Sequence, residues 1–279
     1  MKLTENLHLL QIDFEIALSP DKKLPRFVNV LIILGDKITL IDTGVKGSEQ
    51  KIVDYIRSIN RNASEIGTVI LSHSHPDHIG CAARIKEITG CKVMAHAAER
   101  EWIENIEVQM QQRPVPGFLN LVDRNVVIDE FIPDHQEIKI KQNCTLRFIH
   151  APGHSAGSLN ILFKEDRILF TADSVPLKND IPNYDNYRDL MQSLEAIRNN
   201  DQYDMLLTSW TPPVRNKTAI SRLLEEGEEY MRSVDRAVKS CYKGKTDEFP
   251  VSCQCAVEKL GLPAFMANPI VDRAFKSNF

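Results

Sequence analysis

Four side chains able to bind a metal, His73, His75, Asp77 and His78, fall within six residues of this sequence. They lie in Leu71-Ser-His-Ser-His-Pro-Asp-His-Ile-Gly80, directly after the apolar, β-branched run 68–71. Such a run reads as a buried strand. In an extended backbone His73 and His75 project to one side, because side chains alternate with a period of two. Pro76 has no N–H to give a ladder, so the strand stops there. Asp77 and His78 then sit on the turn into a helix. One short loop thus aims two imidazoles at one point, and a carboxylate and a third imidazole at a neighbouring point. That layout suits two adjacent metal ions. The chain has only eight histidines, so composition alone does not account for three of them clustering here.

The pattern His-x-His-x-Asp-His after a buried strand resembles the signature of the metallo-β-lactamase superfamily. Three further stretches extend the likeness: Ile41-Asp-Thr-Gly44, Ala151-Pro-Gly-His-Ser-Ala-Gly-Ser158 and Thr171-Ala-Asp173. The resemblance covers roughly residues 5–215. It implies that Asp42 does not bind metal but accepts hydrogen bonds that shape the histidine loop. It implies a first metal site of His73, His75 and His154 with an open position for water. It implies a second site of Asp77, His78 and Asp173, with Asp173 able to bridge the two. His150 is expected to end a strand without binding metal. Ala172 stands where the superfamily has glycine.

One motif departs from the pattern. After the last core strand the superfamily places a histidine that completes the second site. Here the stretch is Leu207-Thr-Ser-Trp-Thr-Pro-Pro213, and no histidine follows His154. The indole N–H of Trp210 is a donor only and cannot ligate. The second site is therefore expected to bind weakly, or to borrow a carboxylate such as Asp180 or Asp185. Trp210 is expected to wall the substrate pocket, joined by Tyr184, Tyr187 and Phe118 from the segments 175–187 and 111–120.

Composition restricts the remaining classes. The 279 residues are 43% hydrophobic and 26% charged, with a net charge of −4. That is globular composition, without the basic face a nucleic-acid partner requires. No run approaches the apolar length of a membrane span, and the first residues lack a signal-peptide core. A cytoplasmic location is expected, with all six cysteines as free thiols.

The elements that must position these residues follow from hydrophobic periodicity. Strands are expected at 7–16, 26–34, 37–41, 68–71, 91–95, 126–131, 136–140, 145–150, 159–163, 167–170 and 204–209. Helices are expected near 48–59, 79–89, 97–110, 188–198 and 218–242, with two short ones to the end. Strands and helices in two similar halves fit an α+β, four-layer αβ/βα sandwich, the fold the resemblance also implies. Residues 1–215 would form that domain, and 216–279 a helical extension packed on it.

The expected function is a metal-dependent hydrolase. A metal-activated water would attack an ester, lactone, thioester, amide or phosphoester of a small molecule, with Asp77 orienting the water or shuttling its proton. One or two zinc ions are expected, and iron or manganese also suits the ligand set. The superfamily includes flavodiiron-type reductases and persulfide dioxygenases, so iron-based redox chemistry is the alternative. A non-catalytic metal- or ligand-binding protein is the third reading.

Overall fold

The computed structural model describes residues 1–19, 22–246 and 249–279. Strand β1 (Leu7–Ser19) pairs antiparallel with β2 (Lys22–Leu34), and β2 with β3 (Ile38–Ile41). The next strands, β4 (Ile66–Ile70), β5 (Lys92–Ala95) and β6 (Glu130–Phe131), join in parallel to complete one six-stranded sheet. The second sheet has the spatial order β12-β11-β10-β9-β8-β7. Its strands are β7 (Glu137–Lys141), β8 (Cys144–His150), β9 (Leu159–Phe163), β10 (Ile168–Phe170), β11 (Met205–Leu207) and β12 (Val214–Arg215). All its pairs are antiparallel except β10 with β11.

Period-two alternation sorts the strand residues between two cores. On β2, Leu31 and Ile33 face the other sheet, while Val28, Val30 and Ile32 face outward. On β10, Ile168 and Phe170 face inward and Leu169 outward. Both faces are covered, so β9 and β10 read as unbroken apolar runs instead of alternating ones. Between the sheets Phe148, Phe163 and Phe170 are fully buried. Each contributes roughly 1.5–3 kcal/mol by leaving water.

Six helices cover the outer face of the first sheet: α1 (Glu49–Ser58), α2 (Pro76–Ile79), α3 (Ala82–Thr89), α4 (Arg100–Glu104), α5 (Ile106–Gln112) and α6 (Phe118–Leu121). Four cover the second: α7 (Tyr187–Asn199), α8 (Lys217–Cys241), α9 (Val251–Lys259) and α10 (Pro269–Lys276). The result is the α+β four-layer sandwich, with its C-terminal helices sharing one core with β9, β10 and β11. No helix among the described residues is long and apolar enough to cross a membrane.

Several expected elements differ. The first hairpin runs longer than its apolar pattern, because charged residues and Pro25 are tolerated along a projecting edge. The helix expected at 97–110 breaks at Asn105, whose extended backbone lets its side chain cap α5 at Val108. The helix expected at 79–89 splits at Gly80 and Cys81 into α2 and α3. The strand expected at 126–131 pairs only at Glu130–Phe131.

The expectation of six free thiols is also corrected. Cys241 and Cys255 form a disulfide, because consecutive helices α8 and α9 bring their Cα atoms to 5.9 Å. Cys81, Cys91, Cys144 and Cys253 are free and buried.

Candidate metal centre

Every loop of the candidate site sits just past the C-terminal end of a strand. Asp42 follows β3, the histidine loop follows β4, His154 follows β8, Asp173 follows β10 and Trp210 follows β11. The antiparallel β8–β9–β10 run and the parallel β3–β4 pair put these ends on one edge of the sandwich.

That edge brings together all six residues expected to bind metal. One group contains His73, His75, His154 and Asp173, and another Asp77, His78 and Asp173, with the nearest ligand atoms of each group within 4.8 Å of one another. His154 Nε2 lies 2.8 Å from His75 Nδ1. Asp173 stands between the groups: Oδ2 is 3.4 Å from His154 Nε2, and Oδ1 is 3.3 Å from His78 Nε2.

Hydrogen bonds behind the rings fix which nitrogen is exposed to the centre. Asp42 accepts from Ser72 N at 2.8 Å, Ser72 Oγ at 2.7 Å and His78 Nδ1 at 2.9 Å. The Ser72 hydroxyl has spent its one proton on Asp42, so it accepts from His73 Nδ1 at 3.0 Å. His154 Nδ1 donates to the Asn183 carbonyl at 2.9 Å. His73, His78 and His154 therefore all turn Nε2 inward, where each ring can ligate when that nitrogen is unprotonated. Asp42 thus ties the histidine loop to the His78 ring.

Burial holds His73 and His75 well below the usual histidine range, and His154 below it. Burial opposes charge on His78 too, but Asp173, Asp77 and Asp42 lift it well above that range. Asp173 is held well below the carboxylate range: burial works against its charge, and His78 and His154 overcome it. Burial raises Asp77.

Two loop positions have stringent backbone demands. Gly153 has φ +126°, and a Cβ there would lie 2.2 Å from the Leu190 backbone nitrogen, so only glycine lets α7 approach. Ala172 takes φ +44°, a left-handed conformation at the position where the superfamily has glycine.

A cavity of about 340 Å³ opens above the centre, with Asp77, His154 and Asp173 in its wall. Trp210 and Tyr184 line it. Trp210 packs 6.4 Å from Phe14, under the Arg26 guanidinium at 4.6 Å. Asn29 of β2 donates to the Thr208 and Thr211 carbonyls and so holds the Trp210 turn. Tyr187 does not line the cavity: it packs against the C-terminal helical core, beside Tyr184 at 6.3 Å. Phe118 is corrected likewise. As the first residue of α6 it is buried in the core behind the first sheet, whereas Arg113, Val115 and Pro116 of the same segment reach the cavity. Neither Asp180 nor Asp185 replaces the missing histidine. Asp180 is paired bidentately with Arg26, and Asp185 lies 3.3 Å from Arg273.

Sequence reasoning missed Glu99. This buried carboxylate accepts from Ser74 N at 2.9 Å, Ser155 Oγ at 2.7 Å and Gly157 N, binding the two histidine-bearing loops together. Gln109 supports the same loop by donating to the Ser74 carbonyl. Both lie within a stretch read only as helix, where no spacing marks them.

Known proteins agree with this architecture. A metallo-beta-lactamase family protein of Thermus thermophilus superposes with a TM-score of 0.74 at 17% identity, covering 99% of this chain and 92% of that one. A beta-lactamase domain protein of Burkholderia ambifaria gives 0.72 at 15% identity, covering 98% and 87%. In sequence, hydroxyacylglutathione hydrolase GloC of Haemophilus influenzae is 26% identical over 140 residues, 48% of this chain and 59% of that protein. The match thus spans about three-fifths of that relative's length. The probable metallo-hydrolase YybB of Bacillus subtilis is 29% identical over 60% of this chain and 68% of its own. The sequence pattern of the metallo-beta-lactamase superfamily matches residues 24–209, which take in all six metal-competent residues, Asp42 and the strands that carry them. On that match and this fold, the chain belongs to the metallo-beta-lactamase superfamily.

Proposed function

We propose that the chain is a metal-dependent hydrolase, using an activated water on an ester, lactone, thioester, amide or phosphoester of a small molecule. The observation that carries this reading is a set of buried atoms without hydrogen-bond partners, His73 Nε2, His78 Nε2 and Asp173 Oδ1, gathered beneath a cavity. Each such atom costs about 1–3 kcal/mol when left unmet. A divalent cation satisfies them together. His73, His75 and His154, with Asp173 beside them, would hold one ion, and Asp77, His78 and Asp173 a second. Nitrogen and carboxylate donors of this kind suit zinc, and iron or manganese also.

When bound, zinc supplies a Lewis acid and lowers the pKa of its water to about 7. The chain's own groups do the rest. Asp42, Ser72 and the Asn183 carbonyl keep the rings aimed. Asp77, raised by burial and bordering the cavity, receives or orients a proton of the attacking water. The apolar wall holds the substrate's body and limits access of bulk water. The hydrolase names of the Haemophilus and Bacillus relatives support the same reaction class.

Elemental analysis of protein purified without added metal, followed by a panel of lactones, thioesters and phosphoesters, tests the reading. Zinc at one or two ions per chain is expected, with turnover abolished in folded His73→Ala and His154→Ala. Stoichiometric iron would redirect the assignment to redox chemistry. Turnover retained in either metal-depleted variant would overturn it.

A further inference from the structure

Arg113 follows the last turn of α5 and is buried at the cavity wall, 6% exposed. Its Nη2 donates to Asn183 Oδ1 at 3.0 Å. The backbone carbonyl of the same Asn183 holds His154. The guanidinium therefore sits one residue's breadth from a ring that faces the metal centre.

Arg26, which also lines this cavity, and Arg273 nearby are both matched. Arg26 has Asp180 and Arg273 has Asp185. Among the described residues no carboxylate lies within ion-pair distance of Arg113. Burying a guanidinium without a counter-charge is expensive, and cations loaded beneath it would repel it further. Burial lowers its pKa, Asp185 and Asp77 acting on it only from a distance. An anion arriving from the cavity removes that penalty, and the planar fork matches a carboxylate in geometry.

We propose that Arg113 is a specificity-determining residue that binds an anionic group, a carboxylate, on a substrate whose remaining body is apolar. The inference rests on the hydrolase reading for its kinetic test but not for its binding test. The cavity fits such a molecule: Phe14, Leu24, Leu177, Ile181 and Phe265 supply apolar wall, and Arg113 supplies a cation with no ion-paired carboxylate among the described residues.

The test uses the full-length, zinc-reconstituted chain and two esters of equal length, p-nitrophenyl valerate and the p-nitrophenyl monoester of glutaric acid. The wild type is expected to favour the anionic ester. In Arg113→Gln the anionic-to-neutral ratio of kcat/KM is expected to fall roughly 10- to 100-fold, mostly through KM, as loss of hydrogen bonds to a charged group implies. Arg113→Lys is expected to recover part of the ratio. An unchanged ratio, or equal losses on both esters at equal zinc content, overturns the proposal. If neither ester turns over, calorimetric binding of 4-phenylbutyrate decides it. Binding weakened tenfold or more by Arg113→Gln keeps the carboxylate site even where the hydrolase reading fails. Binding indifferent to Arg113 overturns it.

Discussion

The indole of Trp210 stands edge-on to the imidazole of His78, with ring centroids 6.5 Å apart. The side chain at 210 therefore faces the weaker ligand group but brings no lone pair to it. Trp210→His is expected to add a nitrogen there. Equilibrium dialysis against zinc should show one tightly held ion per chain in the wild type and two in the variant. Equal stoichiometry in both would mean that position 210 does not govern the second ion.

Glu99 holds three donors from two loops, so its removal leaves Ser74 N, Ser155 Oγ and Gly157 N buried and unmet. Glu99→Ala is expected to cost about 3 kcal/mol or more in urea denaturation. Zinc affinity, read by chelator competition, should fall about 10- to 100-fold, as it does when groups supporting metal ligands are lost. An unchanged affinity would show that the loops hold their shape without this carboxylate.

The two ligand groups should differ in how protons compete with metal. In the metal-free chain His73, His75 and His154 are neutral at pH 7, because burial lowers them. His78 is charged there, because its carboxylate neighbours raise it well above the usual range. Filling the first group at pH 7 should release no proton from its rings, only the roughly half proton given up by a bound water of pKa about 7. Filling the second should release about one, since a ligating ring must be neutral. The apparent affinity of the second ion should then rise with pH until the folded value for His78 is passed, whereas that of the first owes its pH dependence near neutrality to the bound water alone. Titration calorimetry in buffers of different ionisation enthalpy reads both numbers. The same proton release for both ions would contradict the assignment.

Gly153→Ala places a methyl against the Leu190 backbone in a conformation that side chains avoid. A loss of about 2–5 kcal/mol is expected from strain and overpacking together. The loop would move away from α7 and carry His154 with it, so zinc affinity should fall in step with the denaturation midpoint. A midpoint shift without any change in zinc binding would separate the loop's fold from its role.

The ligand loop was readable from sequence because its spacing is local: four residues after one apolar strand fix both direction and chemistry. Asp42, His154 and Asp173 each sit at the end of an apolar run, so the strand pattern locates them once the motif is known. Glu99 and Arg113 carry no such mark. Their roles arise from contacts across 25 residues to Ser74 and 70 residues to Asn183, and no periodicity encodes those. Phe118 shows the opposite failure. Its aromatic type suggested a pocket, but the one-turn helix that it begins rotates it into the core while Arg113 and Val115 take the cavity wall. Cys241 and Cys255 are fourteen residues apart and become partners because α8 and α9 pack side by side.

Part of the cavity wall is drawn from far outside the ligand-bearing stretch: Phe14 and Ile16 from the first hairpin, Tyr230, Phe265 and Ile270 from the last helices and their connections. The ligands all come from between Asp42 and Asp173. Part of the apolar selectivity is thus written outside the stretch that carries the ligands, whereas Arg113 lies within it. A graft that exchanges residues 1–23 and 216–279 for those of another superfamily member would change the shape of the apolar wall while leaving the ligands and Arg113 in place.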